Sequence, residues 1–126
     1  MKLTIAIRRT EPDAVTLTLR GSLDGETCTL LDREVVLALN EPVNTMIFDM
    51  TGVDFVTSAG IGTIMKAKTS LARKKAELAM IGVQPQVQKV FEIIRVLPML
   101  QVFRDRAELD EYLGRIQRQM TGAEGD

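Results

Sequence analysis

Two hydrophobic periods alternate along this chain, and that alternation restricts the fold more than any other feature. A period of two marks a strand with one buried face; a period near 3.6 marks a helix. Leu3, Ile5 and Ile7 alternate with Lys2, Thr4 and Arg8, and Val15, Leu17 and Leu19 alternate with Thr16, Thr18 and Arg20. The turn cluster Glu11-Pro12-Asp13 joins them, which predicts a hairpin. Gly21 to Gly25 breaks the pattern. A helix is expected from Glu26 or Thr27, with Cys28, Leu31, Val35 and Leu39 on one face and its end at Asn40-Glu41-Pro42.

The second half repeats the alternation. Thr45 to Phe48 is a continuous apolar run, the pattern of a strand buried on both faces. A polar turn is expected at Asp49 to Gly52, and Val53, Phe55 and Val56 then lead into Thr57-Ser58-Ala59-Gly60. Ile61, Ile64, Met65, Leu71 and Ala72 have helical spacing. Lys66, Lys68, Arg73, Lys74 and Lys75 take the opposite face, read as solvated. Leu78 to Val83 is a strand. Pro85 opens a helix carrying Val87, Val90, Phe91 and Ile94, and Met99 to Phe103 is a short last strand. Asp105 and Glu108 have capping-box spacing ahead of Leu109, Tyr112, Leu113 and Ile116. The order β-β-α-β-α-β-α-β-α predicts one α/β domain with a mixed, mostly parallel sheet and about four helices packed on it. The domain is expected over 1–116, with a flexible tail at 117–126. Ile47, Phe48, Ile64, Leu78, Val90, Phe91 and Leu113 are the predicted core.

Composition excludes several chemistries. There is no histidine, so the usual general base and the commonest metal ligand are missing. One cysteine, Cys28, cannot form an internal disulfide or a thiolate cluster, and its place on the apolar stripe predicts core packing. The formal net charge of −1 gives no global field for nucleic acid. No apolar run approaches the roughly 20 residues that span a bilayer. A cytoplasmic protein is expected, with no membrane insertion. Gly60 and Gly62 lack the further residues of a nucleotide-binding loop.

The residues around Ser58 leave two readings open. Serine at a strand-to-helix junction is a favoured helix cap. It is also a position where a phosphate would meet free N–H groups and the positive end of the helix dipole. Asp24, in a glycine-flanked turn, is a turn residue or a contact residue; Asp54 is likewise a solvated strand-edge acid or part of the same surface.

Taken together, two segments of the chain resemble the STAS domain, and most closely the bacterial anti-sigma factor antagonists. Gly21, Leu23 and Asp24 match the family's G-x-L-D segment before the first helix. Ser58, Gly60, Ile61 and Gly62 match its D-S-S-G-L-G-type signature at the start of the second. Thr57 stands where the family has its acid, and Ala59 where it has a second hydroxyl residue. The element order fits along the chain to about Leu113. The resemblance implies a non-enzymatic, cofactor-free partner switch in sigma-factor-dependent transcription. An anti-sigma factor with ATP-dependent serine kinase activity would bind Asp24, Asp54, Thr57, Ser58, Ala59, Gly60 and Ile61. It would phosphorylate Ser58, with Thr57 the alternative target, and a phosphatase would reverse the mark. Related STAS proteins imply two other roles: an unphosphorylated subunit bound to a membrane transporter's ATPase, and a small-molecule sensor.

Overall fold

The computed structural model describes residues 2–11 and 13–125, with side chains described except at 10, 11, 117 and 119–125. Strand β1 (Thr4–Glu11) pairs antiparallel with β2 (Ala14–Leu23). Then follow α1 (Cys28–Ala38), β3 (Thr45–Val56), α2 (Ser58–Arg73), β4 (Glu77–Ile81), α3 (Pro85–Ile94), a 3₁₀ turn (Leu97–Met99), β5 (Gln101–Phe103) and α4 (Arg106–Gly125). The sheet order is β1-β2-β3-β4-β5, and every pair after the first is parallel. The element order is the expected one. Pro12, in the expected first turn, lies outside the described residues.

Strand β3 shows why the core has two compartments. Met46, Phe48 and Met50 face one side, in a cluster with Leu31 and Val35 of α1, Ile64 and Leu71 of α2, and Val87 and Phe91 of α3. Ile47 faces the other side and joins Ala79, Ile81 and Leu109, with Tyr112 and Leu113 of α4 packed around them. Burial on both faces is what a continuous apolar run requires. Of the predicted core, Ile47, Phe48, Ile64, Leu78 and Phe91 are buried, while Val90 and Leu113 are half-buried. Asp105 caps α4 as its spacing to Glu108 predicts, with Glu108 N–H donating to Asp105 Oδ1 at 3.0 Å; the return bond of a full capping box is shifted by one residue, Glu108 Oε1 accepting from Arg104 N–H at 3.0 Å.

Several expectations are corrected. Asp49 to Gly52 is not a turn; β3 runs unbroken through it. Its register against β2 slips twice, between Thr18↔Asp49 and Arg20↔Gly52 and between Gly21↔Val53 and Ser22↔Phe55, so each slip is a bulge with one extra β3 residue. The polar residues are therefore irregularities within a paired strand. Cys28 is not core: it occupies the first position of α1, half-buried at the margin, with Sγ 3.5 Å from the Gly25 carbonyl. The strand after α2 stops at Ile81, before Val83, and Met99 lies in the 3₁₀ turn before β5. The backbone at 117–125 is helical and continues α4. The lysine-rich face is partly engaged: Lys66 pairs with Asp32 at 3.2 Å, and Lys74 Nζ donates to the Leu39 carbonyl at 2.9 Å, tying α2 to the end of α1.

Candidate functional site

The C-terminal ends of the parallel strands β2 and β3 bring two segments together at one end of the sheet. Thr57 N–H donates to the Leu23 carbonyl at 3.0 Å just before α2 begins. Thr57 is extended (φ −111°, ψ 172°), and its Oγ1 accepts from Gly60 N–H at 3.4 Å. Thr57, not Ser58, is thus the cap of α2. Ser58 is the first helical residue, exposed, and its hydroxyl makes no hydrogen bond among the described residues. The N–H groups of Ser58 and Ala59 remain at the open end of the helix.

Gly60 explains how α2 approaches β2 so closely. A Cβ there would lie 2.4 Å from the Leu23 carbonyl oxygen and 2.9 Å from Leu23 Cγ. Gly60 and Ile61, two of the expected contact residues, are consequently buried, whereas Ser58 and Ala59 beside them are exposed. Gly62 is exposed with open space around it. One helical turn beyond Ser58, it lies on the same face.

Asp24 builds the adjoining loop. Its Oδ1 accepts from Glu26 N–H at 2.9 Å and Thr27 N–H at 3.1 Å. The buried Thr27 hydroxyl accepts from Asp24 N–H at 2.9 Å and donates to the Ser22 carbonyl at 2.8 Å. The hydrogen bond from Thr27 N–H, above all, holds the Asp24 carboxyl below its ordinary range, against partial burial. The loop reaches the start of α2: a Cβ on Gly25 would sit 4.0 Å from Ala59 Cβ. Asp54 is exposed, and its backbone carbonyl accepts from Gln86 Nε2 at 3.5 Å.

The structure adds Phe55, which sequence reasoning passed over. It is 54% exposed, three residues before Ser58, whereas Phe48 and Phe91 are fully buried. A strict period of two would place Val53 and Phe55 on one face. The second bulge puts Val53 and Val56 in the core and turns Phe55 out. No single-sequence signal marks that bulge.

No lysine or arginine occurs between Gly21 and Asp32 or between Val43 and Met65, so the charges nearest Ser58 in these segments are the acids Asp24, Glu26 and Asp54. Among the described residues no cluster of candidate ligands could hold a metal ion. None of their helices is long and apolar enough to cross a membrane. The arrangement offers a solvent-facing hydroxyl on a surface of small side chains with one exposed aromatic ring.

Comparisons with known proteins agree with this geometry. The chain is 21% identical over 110 residues to the anti-sigma-B factor antagonist of Listeria monocytogenes, covering 87% of this chain and 96% of the relative. The fold matches the anti-sigma factor antagonist SpoIIAA in its unphosphorylated form with a TM-score of 0.74, at 19% identity, covering 88% of this chain and 97% of that one. The phosphorylated form of SpoIIAA, a Bacillus cell fate determinant, matches with a TM-score of 0.66, at 18% identity, covering 86% and 99%. The murine anion transporter Slc26a9 contains a similar module, with a TM-score of 0.66 and 16% identity; 88% of this chain matches 22% of that one. The STAS domain family model matches residues 6–109, most of the chain. The chain belongs to the STAS domain family.

Proposed function

We propose that this protein is an anti-sigma factor antagonist, a non-enzymatic partner switch controlled by phosphorylation of Ser58. The observation that carries the reading is the division of labour at the start of α2. Thr57 performs the capping, so Ser58 is left exposed with an unused hydroxyl. Thr57 is half-buried and its oxygen is committed to Gly60 N–H, which favours Ser58 over Thr57 as the acceptor. The names of the Listeria relative and of SpoIIAA, the latter known in both phosphorylation states, support the same reading. In this scheme the unphosphorylated chain binds an anti-sigma factor with serine kinase activity through Asp54, Phe55, Ser58, Ala59 and Gly62, beside the Asp24 loop. Binding frees a sigma factor in the cytoplasm. Phosphorylation ends the contact, and a phosphatase restores it.

The physics of the switch is local. A phosphate adds about −1.5 to −2 charges. At the open end of α2 it gains about 0.3–1 kcal/mol from the dipole, so the fold tolerates it. In a contact it must shed water beside Asp24, Glu26 and Asp54, which opposes binding. Incubation with the cognate anti-sigma factor and ATP, followed by mass spectrometry, tests the proposal. Phosphate on Ser58 is the expected result, and modification confined to Thr57 refutes the site. The resemblance to the module of Slc26a9 favours a second reading, a constitutive STAS subunit of a transporter complex. That reading predicts no modification and co-purification with a transporter ATPase.

A further inference from the structure

The sheet has a half that α4 leaves bare. The cross-strand rows Arg8↔Thr16↔Ile47 and Ala6↔Thr18↔Asp49↔Ile81 each hold residues of one face. Ile47 and Ile81 of these rows pack against Leu109 of α4, so α4 lies on that face, over its β3–β5 side. The β1–β2 side is open, and against the start of α4 it forms a groove of about 620 Å³. Among the described residues, Arg8, Arg20 and Arg106 line this groove, with the half-buried hydroxyls of Thr16 and Thr18 and the acid Asp49. It lies on the opposite face of the sheet from α2 and plays no part in the contact proposed around Ser58.

Arg8 is the cross-strand neighbour of Thr16, and Arg106 Nη1 donates to Thr16 Oγ1 at 3.5 Å from the other side. Arg106 is braced by Asp110, with Nε donating to Oδ1 at 2.8 Å. Arg8 and Arg20 make no ion pair or hydrogen bond among the described residues and are exposed. A guanidinium presents a planar fork that fits phosphate or carboxylate. Asp49, one strand over and two residues further along, is about 8 Å from Thr16 by ordinary strand spacing. Its Oδ1 accepts from Thr51 N–H at 3.0 Å; the other oxygen remains an acceptor. The size falls within the range of small-ligand sites.

We propose that this groove binds a small phosphorylated metabolite, with its phosphate between Arg8 and Arg106 over Thr16 and a hydroxyl or amino group donating to Asp49. Asp49 discriminates against bare phosphate, because it repels a simple anion and, at about 8 Å from Thr16, rewards only a ligand long enough to reach it with a donor.

Calorimetric titration with ribose 5-phosphate, inorganic phosphate, ribose and hexaglutamate tests this, with amide chemical shifts at Thr16 and Thr18 locating the site. The expected result is saturable binding of ribose 5-phosphate, tighter than phosphate, with no binding of ribose. Arg8→Gln should weaken it by about tenfold or more. Asp49→Asn keeps the acceptor for Thr51 N–H and should improve phosphate binding relative to ribose 5-phosphate. Thermal melts verify that both variants are folded. Absence of saturation by either phosphate at millimolar concentration overturns the proposal, as does an Arg8→Gln titration like the wild type. Binding of hexaglutamate alone also overturns it and assigns the face to an acidic protein.

Discussion

Gly60→Ala and Gly62→Ala make the same chemical change two positions apart on α2, and they should move stability in opposite directions. In a helix alanine is favoured over glycine by about 1 kcal/mol. At position 62 a new Cβ meets nothing within 4 Å, so about 0.5–1 kcal/mol of that gain should appear as stability. At position 60 the new Cβ would fall 2.4 Å from the Leu23 carbonyl oxygen, a backbone atom that cannot swing aside. Relief requires α2 to lift from β2, straining the 3.0 Å hydrogen bond from Thr57 N–H to that same oxygen. Overpacking of this kind costs about 1–3 kcal/mol, and weakening the hydrogen bond adds about 0.5–1.5 kcal/mol. After the propensity gain, Gly60→Ala should be destabilised by about 0.5–3.5 kcal/mol, placing the two variants about 1–4.5 kcal/mol apart. Urea denaturation followed by circular dichroism measures both, with equal slopes required for the comparison. A Gly60→Ala protein as stable as wild type would refute the close packing of α2 on Leu23. In a folded Gly62→Ala protein the added methyl group sits one turn from Ser58, so partner binding is the further readout.

Four other outcomes are expected. Ser58→Ala should bind the anti-sigma factor as wild type does, while Ser58→Asp should bind at least about tenfold more weakly, a loss of about 1.4 kcal/mol; equal affinities in a titration would leave Ser58 no regulatory part. Phe55→Ala should change unfolding free energy by less than about 0.5 kcal/mol, since the ring is exposed, yet lower partner affinity by about tenfold or more; unaltered affinity would remove Phe55 from the contact. The Asp24 carboxyl is held below its ordinary range, so the unfolded chain takes up its proton more readily. Its stabilising contribution is complete above the unfolded-state pKa near 4 and is lost as pH falls through the lower folded value; Asp24→Asn should flatten the acid limb of stability against pH, and an unchanged limb would contradict the loop geometry. Lys75 has φ 60° where α2 ends, with Ala76 N–H donating to the Leu71 carbonyl at 2.8 Å, so Lys75→Gly should stabilise by about 1 kcal/mol in the same urea assay.

What could be read from the sequence was local. The alternation of Leu3, Ile5 and Ile7, the helical spacing of Val87, Phe91 and Ile94, and the Asp105–Glu108 pair each act within one element or turn. Their periods therefore reported the element order and the α/β class directly. The Thr57 to Gly62 segment was also recognisable, because a cap and a helix start are made by neighbours in the chain. The tertiary structure decided what depended on pairing between distant strands. Register against β2 absorbed Asp49 to Gly52 into a strand and turned Phe55 outward, since each extra residue in β3 reverses the face of those after it. The Leu23 carbonyl made Gly60 a buried contact and left Gly62 open, although both are glycines in the first turns of one helix. Thr57 became the cap because it continues β3 in extended form up to its hydrogen bond with Leu23, which leaves Ser58 to begin the helix with its hydroxyl in solvent.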